Sequence, residues 1–164
     1  MEYCLSVNPE EKLKKEIDRL RYHYDRKLIK ERYPYINIFG PIEDYTNFKR
    51  LSLLCSDSIG NRKRFRISTD IVSFLEYENI IFLNIFHKGE MKEIFSKILD
   101  KINIPLDINF FPHIILSKNH NKQETEYIYE DLKKTKFKFS FLCKEITLLI
   151  KKEKYWEKSK IFEF

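Results

Sequence analysis

An aromatic–proline step running into a short apolar strand occurs twice in this chain. It reads Tyr33-Pro34-Tyr35-Ile36-Asn37-Ile38 and returns as Phe111-Pro112-His113-Ile114-Ile115-Leu116. Each copy follows a strand pattern and an amphipathic helix pattern, so the repeated unit is strand–helix–strand. Two such units pair around a pseudo-twofold axis, which brings equivalent positions together. Tyr35 and His113 are equivalent, and the repeat therefore predicts that both face one shared cleft.

Around these phrases the rest of the chain fills in. Glu2 to Val7 reads as a strand. Asn8-Pro9-Glu10-Glu11 reads as a helix start, with Asn8 as cap, Pro9 in the first turn and Glu11 at the capping-box position. Leu13, Ile17, Leu20, Tyr24 and Leu28 recur at steps of three and four, one apolar stripe on one helix. Pro34 stops that helix, and Tyr35 to Phe39 forms a strand closed by a turn at Gly40-Pro41. A helix over Tyr45 to Cys55 and a turn at Ser58-Ile59-Gly60-Asn61 lead to a strand over Arg64 to Thr69. Ile71 to Tyr77 and Ile80 to Phe86 form a hairpin around Glu78-Asn79. Met91, Ile94, Phe95, Ile98, Leu99 and Ile102 mark the second amphipathic helix. After Pro105 a short connection reaches a strand over Phe110 to Ser117. A polar loop over Asn119 to Gln123 and a helix over Glu124 to Lys134 follow. Lys136 to Leu142 alternates Phe137, Phe139 and Phe141 onto one face, and Ile146 to Ile150 reads as an interior strand. No linker rich in Gly, Ser or Pro divides the chain, so residues 1–164 read as a single α+β domain.

A length of 164 residues is enough to bury roughly two-thirds of the unfolded surface. No apolar run approaches the roughly 20 residues that span a bilayer, and no signal pattern opens the chain. Cys4, Cys55 and Cys143 are odd in number and scattered, which fits neither a disulfide framework nor a cysteine zinc site. The expectation is a reduced, cytoplasmic protein without a membrane role, metal or cofactor. A net charge of +6 favours anionic ligands, although 34% of residues are charged and a Lys-rich surface explains it equally. The heavy use of Lys, Ile, Asn, Phe and Tyr fits an AT-rich genome, a viral one included.

Phe111-Pro112-His113-Ile114-Ile115-Leu116-Ser117 resembles the second signature of the 2H phosphoesterases, which include the 2′-5′ RNA ligase-like proteins and cyclic phosphodiesterases. Tyr33-Pro34-Tyr35-Ile36-Asn37-Ile38-Phe39-Gly40-Pro41 is similar to the first, trailing Gly-Pro included. The order of elements is similar too, so the resemblance covers nearly the whole chain. It implies two pseudo-symmetric lobes of antiparallel sheet, with flanking helices, around a central cleft. It also implies a metal-independent chemistry in which two histidines face each other across the cleft. One takes a proton from the attacking oxygen and the other protonates the leaving oxygen, and the hydroxyl two residues after each histidine holds a phosphate oxygen. Imidazole suits both roles because its pKa lies near neutrality.

This chain departs from that pattern at three of the four positions. Tyr35 replaces the first histidine, Asn37 the first hydroxyl and Ile115 the second; His113 alone remains. A phenol with a pKa of about 10 is a poor general base at neutral pH. General acid–base catalysis by one group contributes roughly 10²–10⁴ in rate, so the loss of a histidine should cripple turnover. Asn37 still offers an amide to a phosphate oxygen, and alternation sets it on the face of Tyr35, opposite Ile36 and Ile38.

The resemblance therefore points to a catalytically degenerate protein that binds a nucleotide. Some phage proteins with this fold cut the cyclic nucleotides that bacterial immune systems use as signals, and a degenerate relative would sequester such a cyclic oligonucleotide instead. The alternatives are a phosphodiesterase acting through His113 on cyclic nucleotides or RNA ends, and a protein-interaction module. Candidate ligand-binding residues are Tyr35, Asn37, His113, Ser117, Lys118 and Tyr155, with His113 as the catalytic group of any residual activity. Tyr155 and Trp156 either stack on a base or close the core. Arg62-Lys63-Arg64-Phe65-Arg66 forms either a wall of an anionic site or a charged edge that resists aggregation. His23 reads as a solvated residue off the apolar stripe of the first helix, and neither His87, at a strand end, nor His120, in a loop, has a spaced ligand partner.

Overall fold

A computed structural model of the chain describes residues 2–31, 34–43, 45–102, 109–118, 120–153 and 155–164. Tyr33, Pro105 and Asn119, which the sequence reading used, lie outside the described residues. In chain order the elements are β1 (Glu2–Val7), α1 (Glu11–Tyr24), α2 (Arg26–Glu31), β2 (Ile36–Glu43) and α3 (Tyr45–Ile59). They continue with β3 (Phe65–Leu75), a 3₁₀ turn (Glu76–Glu78), β4 (Ile80–Phe86), α4 (Gly89–Ile102) and β5 (His113–Ser117). The last four are α5 (Lys122–Leu132), β6 (Phe139–Cys143), β7 (Glu145–Lys152) and β8 (Tyr155–Glu163).

The strands form two antiparallel four-stranded sheets, ordered β2-β1-β7-β8 and β5-β4-β3-β6. The repeat is visible in that order. β1-α1-β2 and β4-α4-β5 are equivalent, each ending on an edge strand that carries one copy of the phrase. The helices are exchanged, because α1 follows a strand of the first sheet but packs on β5 of the second. In turn α4 packs on β2 of the first. Each helix buries its stripe this way: Leu13 and Ile17 of α1 and Met91, Ile94 and Ile98 of α4 are fully buried. Burying one such side chain contributes roughly 1.5–3 kcal/mol, and a continuous core made from both lobes joins the sheets. β2 and β5 lie against each other, so the two sheets meet along the two motif strands. No helix among the described residues is long and apolar enough to cross a membrane.

Several expectations are corrected. Asn8 does not cap α1: the helix starts at Glu11, and the Asn8 amide donates instead to Thr147 Oγ1 at 2.9 Å and Glu145 Oε1 at 3.2 Å. A tertiary partner on β7 wins over the local cap. Gly40-Pro41 is not a turn, since β2 runs through it to Glu43 and Gly40 adopts φ +100° against β1. Arg64 to Thr69 and Ile71 to Tyr77 are not two strands. They belong to one, β3, with a bulge between Thr69 and Val72. Leu28 is buried as expected but sits on a separate helix, because Asp25 breaks the run after Tyr24 and its Oδ1 accepts the Leu28 amide at 3.2 Å. The fifth helix opens two residues early on an Asn121–Glu124 capping box. β5 and β6 start later than expected, and β8 has no counterpart in the sequence pattern, because its residues are mostly exposed.

Candidate functional site

On β2 the alternation works as the sequence implies. Ile36 and Ile38 enter the core, while Tyr35 and Asn37 take the helix-free side together with Cys4 and Ser6 of β1 and Thr147 and Leu149 of β7. That side is closed over Tyr35, which is only 4% exposed and clusters with Cys4 and Leu149. Trp156 covers the cluster with its ring 6.2 Å from that of Tyr35, edge to face. Lys151 sits 6.0 Å from the indole while its ammonium bonds both carboxylate oxygens of Glu2, at 2.7 and 2.9 Å. Asn37 stands opposite Ser6, and its Oδ1 is buried without a hydrogen-bond partner among the described residues. A buried acceptor in that state is costly, which marks the position as a place for a water or a ligand donor.

On β5, Ile114 and Leu116 are core residues, and His113, Ile115 and Ser117 occupy the helix-free side. The His113 ring packs between Phe82 and Phe111, with centroids at 5.4 and 5.0 Å. Its Nδ1–H donates to the Phe111 carbonyl oxygen at 2.7 Å, which assigns the lone pair of the neutral ring to Nε2. Ile115 is 6% exposed and adds no polar group where the family places a hydroxyl. Ser117 is fully buried, and its Oγ has no hydrogen-bond partner among the described residues. Lys118 follows, half-buried, its backbone N–H donating to Asp25 Oδ2 at 2.9 Å.

The fold thus brings Asn37 onto one motif strand, with Tyr35 just before it, and His113, Ser117 and Lys118 onto or beside the other. Tyr155 is 54% exposed at the start of β8, and its neighbour Trp156 is the aromatic that reaches the motif residues. The basic run divides. Arg62 pairs with Glu93 at 3.0 Å, whereas Arg66 lies on the sheet and bonds Ser140 Oγ at 3.0 Å. His120 lies between Asp25, with Oδ2 at 3.9 Å, and Glu124, with Oε2 at 3.6 Å. No group of His, Cys, Asp and Glu among the described residues is arranged to hold a metal ion.

Two contributors escape the sequence reading. Arg21 is fully buried and donates through Nε and Nη2 to the Ile115 carbonyl, at 3.1 and 2.5 Å. Asp25, one turn on, holds the Lys118 amide. The sequence does carry a signal for the first: Arg21 stands four residues after Ile17, where the buried stripe asks for an apolar residue.

No curated protein sequence matches the chain. Solved structures do. LigT of E. coli in complex with 3′-AMP superposes with a TM-score of 0.68 at 14% identity, covering 99% of this chain and 97% of that one. TT0787 of Thermus thermophilus gives a TM-score of 0.71 at 13% identity, covering 99% and 97%. LigT in complex with ATP gives 0.64 at 14% identity, covering 99% and 96%. These likenesses establish the fold, two antiparallel sheets with flanking helices in the arrangement of the 2H phosphoesterases. The model of the 2′-5′ RNA ligase superfamily matches residues 9–154, and the chain belongs to that superfamily.

Proposed function

We propose that this protein binds a nucleotide on the helix-free surface around His113 and holds it without efficient turnover. A cyclic oligonucleotide signal is the ligand class, and sequestration the outcome. The observation that carries this reading is the state of Tyr35. Where a second acid–base group should face His113, the chain has a phenol that is 4% exposed and packed under Trp156. Proton transfer at a leaving oxygen needs a group within hydrogen-bond reach, and a side chain sealed from the surface does not supply it. Binding groups remain nonetheless. Asn37 is half-buried with an Oδ1 that has no partner among the described residues, and Lys118 adds a half-buried cation next to the second motif. Solved relatives with this fold hold 3′-AMP and ATP, which supports a nucleotide as the ligand class.

One feature favours a second reading. The Nδ1–H bond to Phe111 orients His113 and gives Nε2 the role of proton acceptor, the arrangement that a lone acid–base group uses. One experiment separates the readings: incubate the protein with cyclic and linear nucleotides, denature it by heat, and identify what is released. Recovery of intact ligand in stoichiometric amount supports sequestration. Catalytic conversion that disappears in His113→Ala assigns the protein to the phosphodiesterases instead. Retention of no nucleotide leaves the interaction module.

A further inference from the structure

A cavity of 530 Å³ opens on the same sheet as His113 and is lined by Asp70, Ile71, Phe86, His87, Lys138 and Phe139 among others. Its volume is that of a small-molecule site. The floor is apolar and accessible, with Phe86 38% and Ile71 54% exposed. The rim is polar and unengaged: the side chains of Asp70, His87 and Lys138 take part in no hydrogen bond or ion pair among the described residues. Two backbone irregularities build it. The β3 bulge between Thr69 and Val72 carries Asp70 and Ile71, and His87 adopts φ +55° just beyond β4. A left-handed non-glycine residue and a bulge at one pocket are the sort of irregularity that accompanies binding sites.

Asp70 and Lys138 both line the cavity, each one residue beyond the last β3–β6 pair, Thr69↔Phe139, and no ion pair joins them. A carboxylate beside an ammonium over an aromatic floor matches one nucleobase edge. Guanine presents N1–H and its amino group as parallel donors, which a carboxylate accepts, and O6 as an acceptor for the ammonium. Adenine turns a lone pair at N1 toward the same carboxylate and is repelled.

The cavity is also connected to His113. Asn84 is the cross-strand partner of His113, and its side chain is tied to the Ile71 carbonyl at 3.2 Å and to Ser73 Oγ. Phe86 is the next residue of β4 on that face, about 7 Å further along. We infer that this cavity is a guanine-selective base subsite of the nucleotide site, which rests on the reading given above. A ligand with its phosphate near His113 places a guanine against Phe86, with Asp70 and Lys138 reading its edge.

The test is calorimetric titration of the full chain with guanosine, adenosine, GMP and AMP. Guanosine is expected to bind at least tenfold more tightly than adenosine. Asp70→Asn should reduce that ratio to threefold or less, with the fold verified by circular dichroism. Phe86→Ala should weaken both nucleosides, and His113→Ala should weaken GMP by a larger factor than guanosine. Equal affinity for guanosine and adenosine, or a ratio unmoved by Asp70→Asn, overturns the guanine subsite. If GMP binding still depends on His113 in that case, the nucleotide site itself stands. Binding of none of the four ligands overturns the guanine subsite, while the wider nucleotide reading is judged by the release experiment with cyclic nucleotides.

Discussion

Arg21 on α1 grips the carbonyl oxygen of Ile115 on β5 with two of its nitrogens, at 3.1 and 2.5 Å. One turn later Asp25 accepts the Lys118 amide at 2.9 Å. Together these two side chains occupy backbone groups in and just beyond an edge strand whose one ladder partner among the described residues is β4. They do for the second motif what a neighbouring strand would do. Arg21→Met keeps an apolar stem but leaves the buried Ile115 carbonyl short of a donor, so it should cost about 2–3 kcal/mol. Arg21→Lys should fall between, since one ammonium does not reproduce the fork. Urea denaturation at unchanged m-value measures both, and an unmoved midpoint in Arg21→Met would show that the fork contributes nothing.

Gly40 is held at φ +100°, and a Cβ built there would stand 2.6 Å from the Tyr3 carbonyl oxygen. The clash is with backbone of the paired strand rather than with the end of a flexible side chain. Gly40→Ala should therefore lower the melting temperature by roughly 5–10 °C, from a loss of about 2–3 kcal/mol. Gly89, where a Cβ meets nothing within 4 Å, is the control. Gly89→Ala should be neutral or slightly stabilising, and equal losses at the two sites would contradict the account.

The contrast between two Asn-x-x-Glu segments shows where sequence reading works and where it stops. Asn8 to Glu11 and Asn121 to Glu124 carry the same capping signal. Only the second is a capping box; the first Asn is taken by Thr147, 139 residues away. Local patterns are decisive where the partner is local: the stripes of α1 and α4, and the alternation that sets Tyr35 and Asn37 on one face. They fail where a distant strand supplies the partner. β1 draws Gly40-Pro41 into a strand, and β7 organises β8 despite its polar sequence. For the same reason the sequence names Tyr35 as the mismatched position but not its burial. Trp156, which covers it, lies on another strand.

Burial pushes the thiols of Cys55 and Cys143 up from the ordinary 9.0 to about 12. The thiolate is the reactive form, so labelling of the native protein at pH 8 should be slower than that of the unfolded chain by at least about 10²-fold. The same shift has a stability consequence with a definite sign. Above pH 9 the unfolded thiols ionise while the folded ones stay protonated, so stability is complete below about 9 and declines as pH rises toward about 12. A Cys55→Ala, Cys143→Ala variant should show a shallower decline between about pH 8 and 10 by chemical denaturation. Identical slopes would refute the assignment.

His113 donates from Nδ1 to the Phe111 carbonyl, so its neutral form should be the Nδ1–H tautomer. Long-range ¹H–¹⁵N spectra above the titration midpoint report this directly, through the chemical shifts of the two ring nitrogens. An Nε2–H tautomer would mean that Phe111 does not orient the ring. In that case Nε2 would not be the nitrogen presented to a ligand.

Restoring the missing groups tests whether chemistry was lost through side chains alone. Tyr35→His, Asn37→Thr and Ile115→Thr together recreate two histidines, each followed two positions later by a hydroxyl. The strands that carry them already lie against each other. One recovered acid–base group is worth roughly 10²–10⁴, so 2′,3′-cyclic phosphate hydrolysis should rise at least 10²-fold over the unmodified chain. Adding His113→Ala to that background should remove the gain. The Trp156 ring stands over position 35, so Trp156→Ala in the restored chain should raise the rate further by opening the way to the new imidazole. No gain in the triple variant, with its fold intact by circular dichroism, would mean that the two motif strands are no longer set at catalytic distance. The degeneracy would then lie in the backbone as well as in the side chains.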